Sequence, residues 1–251
     1  MAYASEGQPP TVEIIGHRGS PREDRENTIA SFRRAFADGA DAVELDVHAT
    51  RDGAIVVHHD AATNSRPGDS GTVAVIAEST LDAIQSIAVG SGGTGGTERI
   101  PTLEAVLETV PRDSTVYVEV KAPRIEAEVV AVIRASGRAC AVHSFDHRVA
   151  RRVHDIAPEI PVGVLQTSYP VDPLRAMYDA GARDLWQQWE LLDEALVRLV
   201  HGDARRIIAW TVNSPDVARR LLEWGVDGIC TDIPGTMRAL VGDLAGGSRL
   251  P

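Results

Sequence analysis

Four short motifs set histidines, an arginine and carboxylates at the ends of successive apolar runs: Gly16-His17-Arg18-Gly19, Glu26-Asn27-Thr28, Glu44-Leu45-Asp46-Val47 and His58-His59-Asp60. Histidine titrates near neutrality and can give or take a proton, so His17 and His59 are candidate acid–base groups. Arg18 offers a planar, bidentate donor suited to a phosphate, and the glycines on either side of the His17-Arg18 pair allow close approach of backbone and ligand. On a strand, side chains two apart share a face, so Glu44 and Asp46 point one way while Val43, Leu45 and Val47 point the other. The pattern recurs in Tyr117-Val118-Glu119-Val120-Lys121, where Glu119 and Lys121 share a face. Like charges gathered on an interior face are costly unless something compensates them. Hard oxygen ligands of this kind favour Mg²⁺ or Ca²⁺ over a soft metal. The acids, the lysine and the two histidines together suit a divalent ion, a phosphate and a proton-transfer pair in one pocket.

Positioning these groups calls for short strands alternating with helices. Strand-like runs at 12–16, 42–47, 55–58, 115–120, 139–143, 161–165, 184–186, 207–212 and 228–231 are separated by helical patterns. Several helices open on a cap residue, as in Asn213-Ser214-Pro215-Asp216, and glycines close others at Gly39, Gly137, Gly181 and Gly225. Alternation of this kind predicts parallel strands joined by crossover helices. Eight such units, with one small hairpin run left over, predict a (β/α)8 TIM barrel. An open doubly wound sheet would carry a glycine fingerprint after its first strand, and Gly16-His17-Arg18-Gly19 is not one. The rhythm breaks between about 60 and 100, where a Gly-, Ser- and Thr-rich insertion follows the second strand and holds one short helix near Leu81–Ile87. Because it leaves from the His59 end of its strand, a lid or substrate subsite is expected there.

The 251 residues fit one large domain, with 25 Lys and Arg against 36 Asp and Glu for a net charge of −11. An acidic chain repels a nucleic-acid backbone, and any phosphate site must carry its own local positive charge. The N-terminal ten residues have neither a basic head nor an apolar stretch, so no signal peptide and a cytoplasmic location are expected, and no run approaches membrane-spanning length. Cys140 and Cys230 sit in apolar runs and read as small buried hydrophobes rather than a disulfide. His58 is expected to point away from His59 and to be structural. Asp227 and Asp232 are read as caps flanking the eighth strand. Trp210 either stacks on the organic part of a substrate or fills the barrel mouth.

At this point the chain resembles the glycerophosphodiester phosphodiesterase family. The resemblance rests on His17-Arg18-Gly19, Glu26-Asn27-Thr28, Gly39-Ala40-Asp41, Glu44-Leu45-Asp46-Val47, Thr50-Arg51-Asp52-Gly53 and His59-Asp60 in order. It continues through Ile100-Pro101-Thr102-Leu103, Glu119-Val120-Lys121, Ser144-Phe145-Asp146, Trp210-Thr211-Val212-Asn213 and Gly225-Val226-Asp227-Gly228-Ile229 with Thr231-Asp232. It implies the barrel with its insertion, hydrolysis of glycerol-phosphate diesters, and one divalent ion, Mg²⁺ or Ca²⁺, held by Glu44, Asp46 and Glu119. It also implies His17 and His59 as the acid–base pair, with Arg18 and Lys121 on the phosphate. His17 as base and His59 as acid is the preferred order. Arg25 stands where the family usually has proline, and 61–67 departs from the family's leucine and Arg-Thr-Thr segment. The rival readings are a phospholipase-D-like lyase that stops at a cyclic phosphate, a non-catalytic phosphate-binding barrel, and a metal-dependent aldolase or isomerase. The partner expected is a small glycerophosphodiester, with no nucleic acid and no integral membrane contact; the oligomeric state is left open.

Overall fold

The computed structural model describes residues 12–64, 71–91 and 97–247. The chain opens with strand β1 (Glu13–His17), helix α1 (Ile29–Ala37), the long strand β2 (Ala42–Ala49) and a short strand β3 (Ile55–Val57). The insertion holds α2 (Leu81–Ser86) and the hairpin of β4 (Ala88–Ser91) and β5 (Thr97–Arg99), followed by α3 (Leu103–Thr109). Strands and helices then alternate through β6 (Thr115–Val120), α4 (Glu126–Ser136), β7 (Cys140–Ser144), α5 (His147–Ile156), β8 (Val162–Gln166) and α6 (Arg175–Ala180). The last units are β9 (Asp184–Gln188), α7 (Glu194–Gly202), β10 (Arg206–Trp210), α8 (Pro215–Trp224), β11 (Gly228–Thr231) and α9 (Pro234–Gly247).

Among the described residues, β1, β2 and β6 to β11 form a parallel sheet, and β1 pairs with both β2 and β11, which closes it into an eight-stranded barrel. β3 lies antiparallel to the end of β2 and is the hairpin run left over from the eight units. The helices start where the sequence places their caps. Thr28 accepts from Ser31 N, Thr102 from Ala105 N, Asp146 from Arg148 N, Asp193 from Leu196 N and Ser214 from Val217 N. Each such cap is worth about 1 kcal/mol. Gly137, Gly181 and Gly225 end α4, α6 and α8 in the left-handed conformation.

The barrel has two apolar layers. Val43, Leu45, Val47, Val116, Val118 and Val120 pack outward against the helices. Ile15, Ala42, Tyr117, Ala141, Leu165, Trp186, Ile208 and Cys230 fill the interior. Cys140 and Cys230 are free and buried. At the N-terminal end of the barrel, Tyr117 donates its hydroxyl to Glu13 Oε2 at 2.6 Å and Arg206 reaches the same oxygen at 2.7 Å. The described part of the insertion packs a small core of its own, Val56, Ile76, Ile84, Val89 and Ile100, against β3. The Gly-rich run at 92–96 and residues 65–70 lie outside the described residues, as do the N-terminal 1–11.

Candidate active site

Strand register brings the candidate groups together at the C-terminal end of the barrel. His17 on β1 sits beside Glu44 on β2; across the next strands Asp46 sits beside Glu119 on β6, and Glu119 beside His143 on β7. As alternation requires, Glu44 and Asp46 face inward while their valine and leucine neighbours face the helices. Glu44 is 2% exposed and Asp46 0%.

The turn after β1 is built by its glycines. A Cβ on Gly16 would meet Gly19 O at 2.5 Å, and one on Gly19 (φ +92°) would meet Ser31 Oγ at 2.4 Å. Arg18 takes φ 55° in this turn, a strained value for a non-glycine residue, and its backbone N–H donates to Glu44 Oε2 at 3.1 Å. Its guanidinium donates to both oxygens of Glu26 at 3.2 Å and sets Nε 3.0 Å from Asp46 Oδ2 as an ion pair. Asn27, also at positive φ, donates to Asp46 Oδ2 at 2.9 Å. Lys121 Nζ lies 2.8 Å from Glu119 Oε1 and 3.5 Å from Asp46 Oδ1.

Each histidine is oriented by a carboxylate. His17 Nδ1 is 2.7 Å from Asp232 Oδ1, and His59 Nδ1 is 2.6 Å from Asp60 Oδ1. A carboxylate only accepts, so Nδ1 carries the proton in each ring and Nε2 is left as the proton-transfer atom. Asp232 is therefore more than the cap the sequence suggests. His58 is buried and lies off the cavity, as its alternation with His59 predicts.

These side chains line a cavity of about 240 Å³ whose walls include His17, Arg18, Glu44, His59, Glu119 and Lys121. Its floor is Trp186, on which the His143 ring stacks at 4.3 Å. Trp210 and Phe145, which also line it, meet edge to face at 5.4 Å, and Phe145 lies under Lys121 Nζ. Among the described residues, none from the insertion lines this cavity, so the lid or subsite expected there is not formed by its described part.

Electrostatics divides the acids. Burial pushes Glu44 well above the usual carboxylate range, and Asp46 and Glu119 beside it add to that. Burial, then Asp46, raises Glu119 to about 7 despite Lys121. Burial also acts on Asp46, but Arg18, Lys121 and His59 outweigh it and hold its carboxyl well below the usual range. Burial lowers His59, helped by Arg18 and Lys121, and brings His143 down to about 3. A cluster of buried acids driven towards protonation fits a cation. Donor atoms of Glu44, Glu119 and His143 lie within 4.8 Å of one another and could hold a metal ion. Asp46 stands beside this trio, and its Oδ1 is buried without a hydrogen bond, a lone pair a cation can take.

His143 belongs to none of the sequence motifs, although its alternation with Ala141 places it on the interior face at a strand end, as for Glu119. Phe145 falls in a family motif, and Asn27 in another, without either being given a role in the site. No local signal ties Asp232 to His17.

Residues 17–236 match the Glycerophosphoryl diester phosphodiesterase family. The chain belongs to that family. It is therefore a phosphoric diester hydrolase acting on glycerophosphodiesters. A glycerophosphodiester phosphodiesterase from Caldanaerobacter subterraneus subsp. tengcongensis is 33% identical over 238 residues, covering 91% of this chain and 97% of that protein. The crystal structure of glycerophosphodiester phosphodiesterase from Thermotoga maritima superposes with a TM-score of 0.72 at 25% identity, covering 91% of this chain and 98% of that one. The fold is shared also with an Oleispira antarctica phosphodiesterase solved with its product sn-glycerol-3-phosphate, at a TM-score of 0.83 and 23% identity, covering 92% and 96% of the two chains. Among the described residues, no helix of this family member is long and apolar enough to cross a membrane.

Proposed function

We propose that the cavity at the barrel mouth hydrolyses glycerophosphodiesters to sn-glycerol 3-phosphate and an alcohol, with His17 and His59 as the acid–base pair. The observation that carries this reading is the pair of carboxylate-oriented imidazoles on the walls of one cavity that also holds the buried acid and cation cluster. One imidazole takes the proton of the attacking water through Nε2. The new P–O bond forms as the bond to the alcohol oxygen breaks, and the other ring, entering the step as an imidazolium protonated on both nitrogens, delivers its Nε2 proton to the departing alkoxide. Arg18 and Lys121 face the phosphate and oppose its developing charge. Both already hold carboxylates, which fixes them in place before substrate arrives.

Glu44, Asp46 and Glu119 would hold one divalent ion, Mg²⁺ or Ca²⁺, with His143 as a further donor at 3.9 Å from Glu44 Oε1. When bound, that ion supplies Lewis-acid charge at the phosphoryl oxygens. Trp210 contributes its ring to the organic part of the diester, and its Nε1 is buried without an acceptor among the described residues. The metabolism of lipid-derived diesters is the setting this chemistry suits.

The test is release of sn-glycerol 3-phosphate from glycerophosphocholine and glycerophosphoethanolamine with Mg²⁺, with Ca²⁺ and with EDTA, alongside His17→Ala. Turnover that requires both a divalent ion and His17 supports the reading. Turnover unaffected by EDTA and by H17A would overturn the assignment of the site. Phosphorus NMR of the product identifies the lyase alternative, which would accumulate a cyclic phosphate.

A further inference from the structure

A second, larger hollow of about 800 Å³ adjoins the catalytic cavity and shares Phe145 and Leu165 with it. It runs over the C-terminal end of β8 and into the groove between α5 and α6. Leu165 points into the barrel interior, so by alternation the next residue, Gln166, points outward under this groove. Gln166 is 5% exposed, and its Oε1 is buried with no hydrogen-bond partner among the described residues. Leaving a buried amide unpaired costs about 1–3 kcal/mol, so the site is built to receive a partner.

The chemistry of the walls says which kind. The floor is apolar, formed by Ala176 and Ala180. The rim carries guanidinium groups, but each is already matched to an acid. Arg148 Nε lies 2.8 Å from Asp146 Oδ1, Arg151 Nε 3.0 Å from Asp155 Oδ2, Arg152 Nε 2.8 Å from Glu126 Oε1 and Arg175 Nε 2.8 Å from Asp179 Oδ2. The four pairs leave the rim without a net positive charge to draw a second anion. A hydroxyl group competes with none of them: it can donate to a carboxylate, accept from a guanidinium N–H and pair with the Gln166 amide. A quaternary ammonium headgroup offers no donor to Gln166.

We propose that this groove is the subsite for the alcohol arm of the diester and that it selects a polyhydroxylated ring, of the inositol or sugar class. The ring's apolar face lies on Ala176 and Ala180, and its hydroxyls meet Gln166 and the arginine–carboxylate rim. The phosphate stays in the catalytic cavity and the alcohol oxygen crosses between the two over Phe145. The inference rests on the phosphodiesterase reading of the adjoining cavity.

The test compares kcat/KM for glycerophosphoinositol and glycerophosphocholine with the wild-type enzyme, Gln166→Leu and Ala176→Phe. The wild type is expected to favour the inositol ester at least tenfold. Losing one hydrogen bond in Q166L should cut that preference about fivefold. Ala176 is only partly buried, so A176F fills the groove on a helix that tolerates the change, and it should cut the preference at least as much even if Q166L folds poorly. Equal kcat/KM for the two esters, or a wild-type preference that survives in both variants, would overturn the subsite and leave the phosphodiesterase reading standing. No turnover of either ester with Mg²⁺ or Ca²⁺ would overturn both.

Discussion

Asp232 Oδ1 lies 2.7 Å from His17 Nδ1 although 215 positions separate the two residues in the chain. β11 and β1 are hydrogen-bonded neighbours where the barrel closes, so the residue just past the end of one stands beside the end of the other. Asn213 holds Asp232 from the far side, donating to Oδ2 at 2.6 Å and accepting from the Asp232 N–H at 2.9 Å. Burial would raise the Asp232 carboxyl, but the bonds from His17 and Asn213 win and bring it below its ordinary value.

Asp232 thus acts on His17 as a positioning residue. Asp232→Asn presents an amide that can donate to Nδ1 and select the wrong tautomer. A loss of about a hundredfold or more in kcat is expected, with KM changed little. Steady-state kinetics on glycerophosphocholine checks this, and an unchanged kcat would remove Asp232 from the mechanism.

The two histidines can be told apart by the leaving group. With His17 as base and His59 as acid, His59→Ala should lose most of its kcat on a choline ester. It should recover much of it on a p-nitrophenyl ester, whose alkoxide needs no proton. His17→Ala should be slow on both. Recovery seen in the His17 variant instead would exchange the roles.

The acid cluster sets stability against function. Burial, reinforced by Asp46, drives Glu119 up to about 7, so its ionised form strains the cation-free protein. At pH 8 in EDTA, Glu119→Gln should melt no lower than wild type, and each kcal/mol of relief raises Tm by about 2–4 °C. Millimolar Mg²⁺ or Ca²⁺ should raise the wild-type Tm and fail to raise that of the variant. Equal cation shifts in both would exclude Glu119 as a ligand.

His58 gives the acid edge of stability. Burial lowers it to about 4, against an unfolded value of about 6.5. Because the folded value is the lower one, the folded protein resists protonation. The associated stability is complete above about pH 6.5 and is lost as pH falls from there to about 4, a change of about 3 kcal/mol. Urea unfolding at pH 7 and pH 4 should show His58→Gln losing less than wild type by that amount. Parallel losses in the two proteins would show His58 to be already charged in the fold.

Gly19 tolerates no side chain. Its φ is +92°, and an added Cβ would lie 2.4 Å from Ser31 Oγ and 2.7 Å from Ser31 O. Gly19→Ala is expected to cost about 2 kcal/mol or more in denaturant unfolding. It should also lower activity, because Ser31 Oγ donates to Arg18 O at 3.0 Å and fixes the turn that carries Arg18. A stable, fully active G19A would show that the turn rebuilds itself.

What was legible in the chain was local. Alternation in Val43-Glu44-Leu45-Asp46-Val47 put two acids on the inner face, and the described strand buries them there. Cap residues such as Thr28 and Ser214 announced where helices begin, because capping is satisfied within one turn of the chain. The repeat of strand and helix implied the barrel, and the barrel implied that the strand ends meet.

What only the tertiary structure decided was who faces whom. His143 joined Glu44 and Glu119 because the register of β6 with β7 sets Glu119 beside it, and register is a property of two strands. Asp46 was drawn to Arg18 and Lys121 because the turn after β1 folds the guanidinium back over the barrel mouth. The shifts of Glu44 and Glu119 exist only because burial and the neighbouring acids act at once. Sequence determines the face each side chain takes, since that depends on its own backbone; the distances between faces follow from closure of the barrel, which no segment contains by itself.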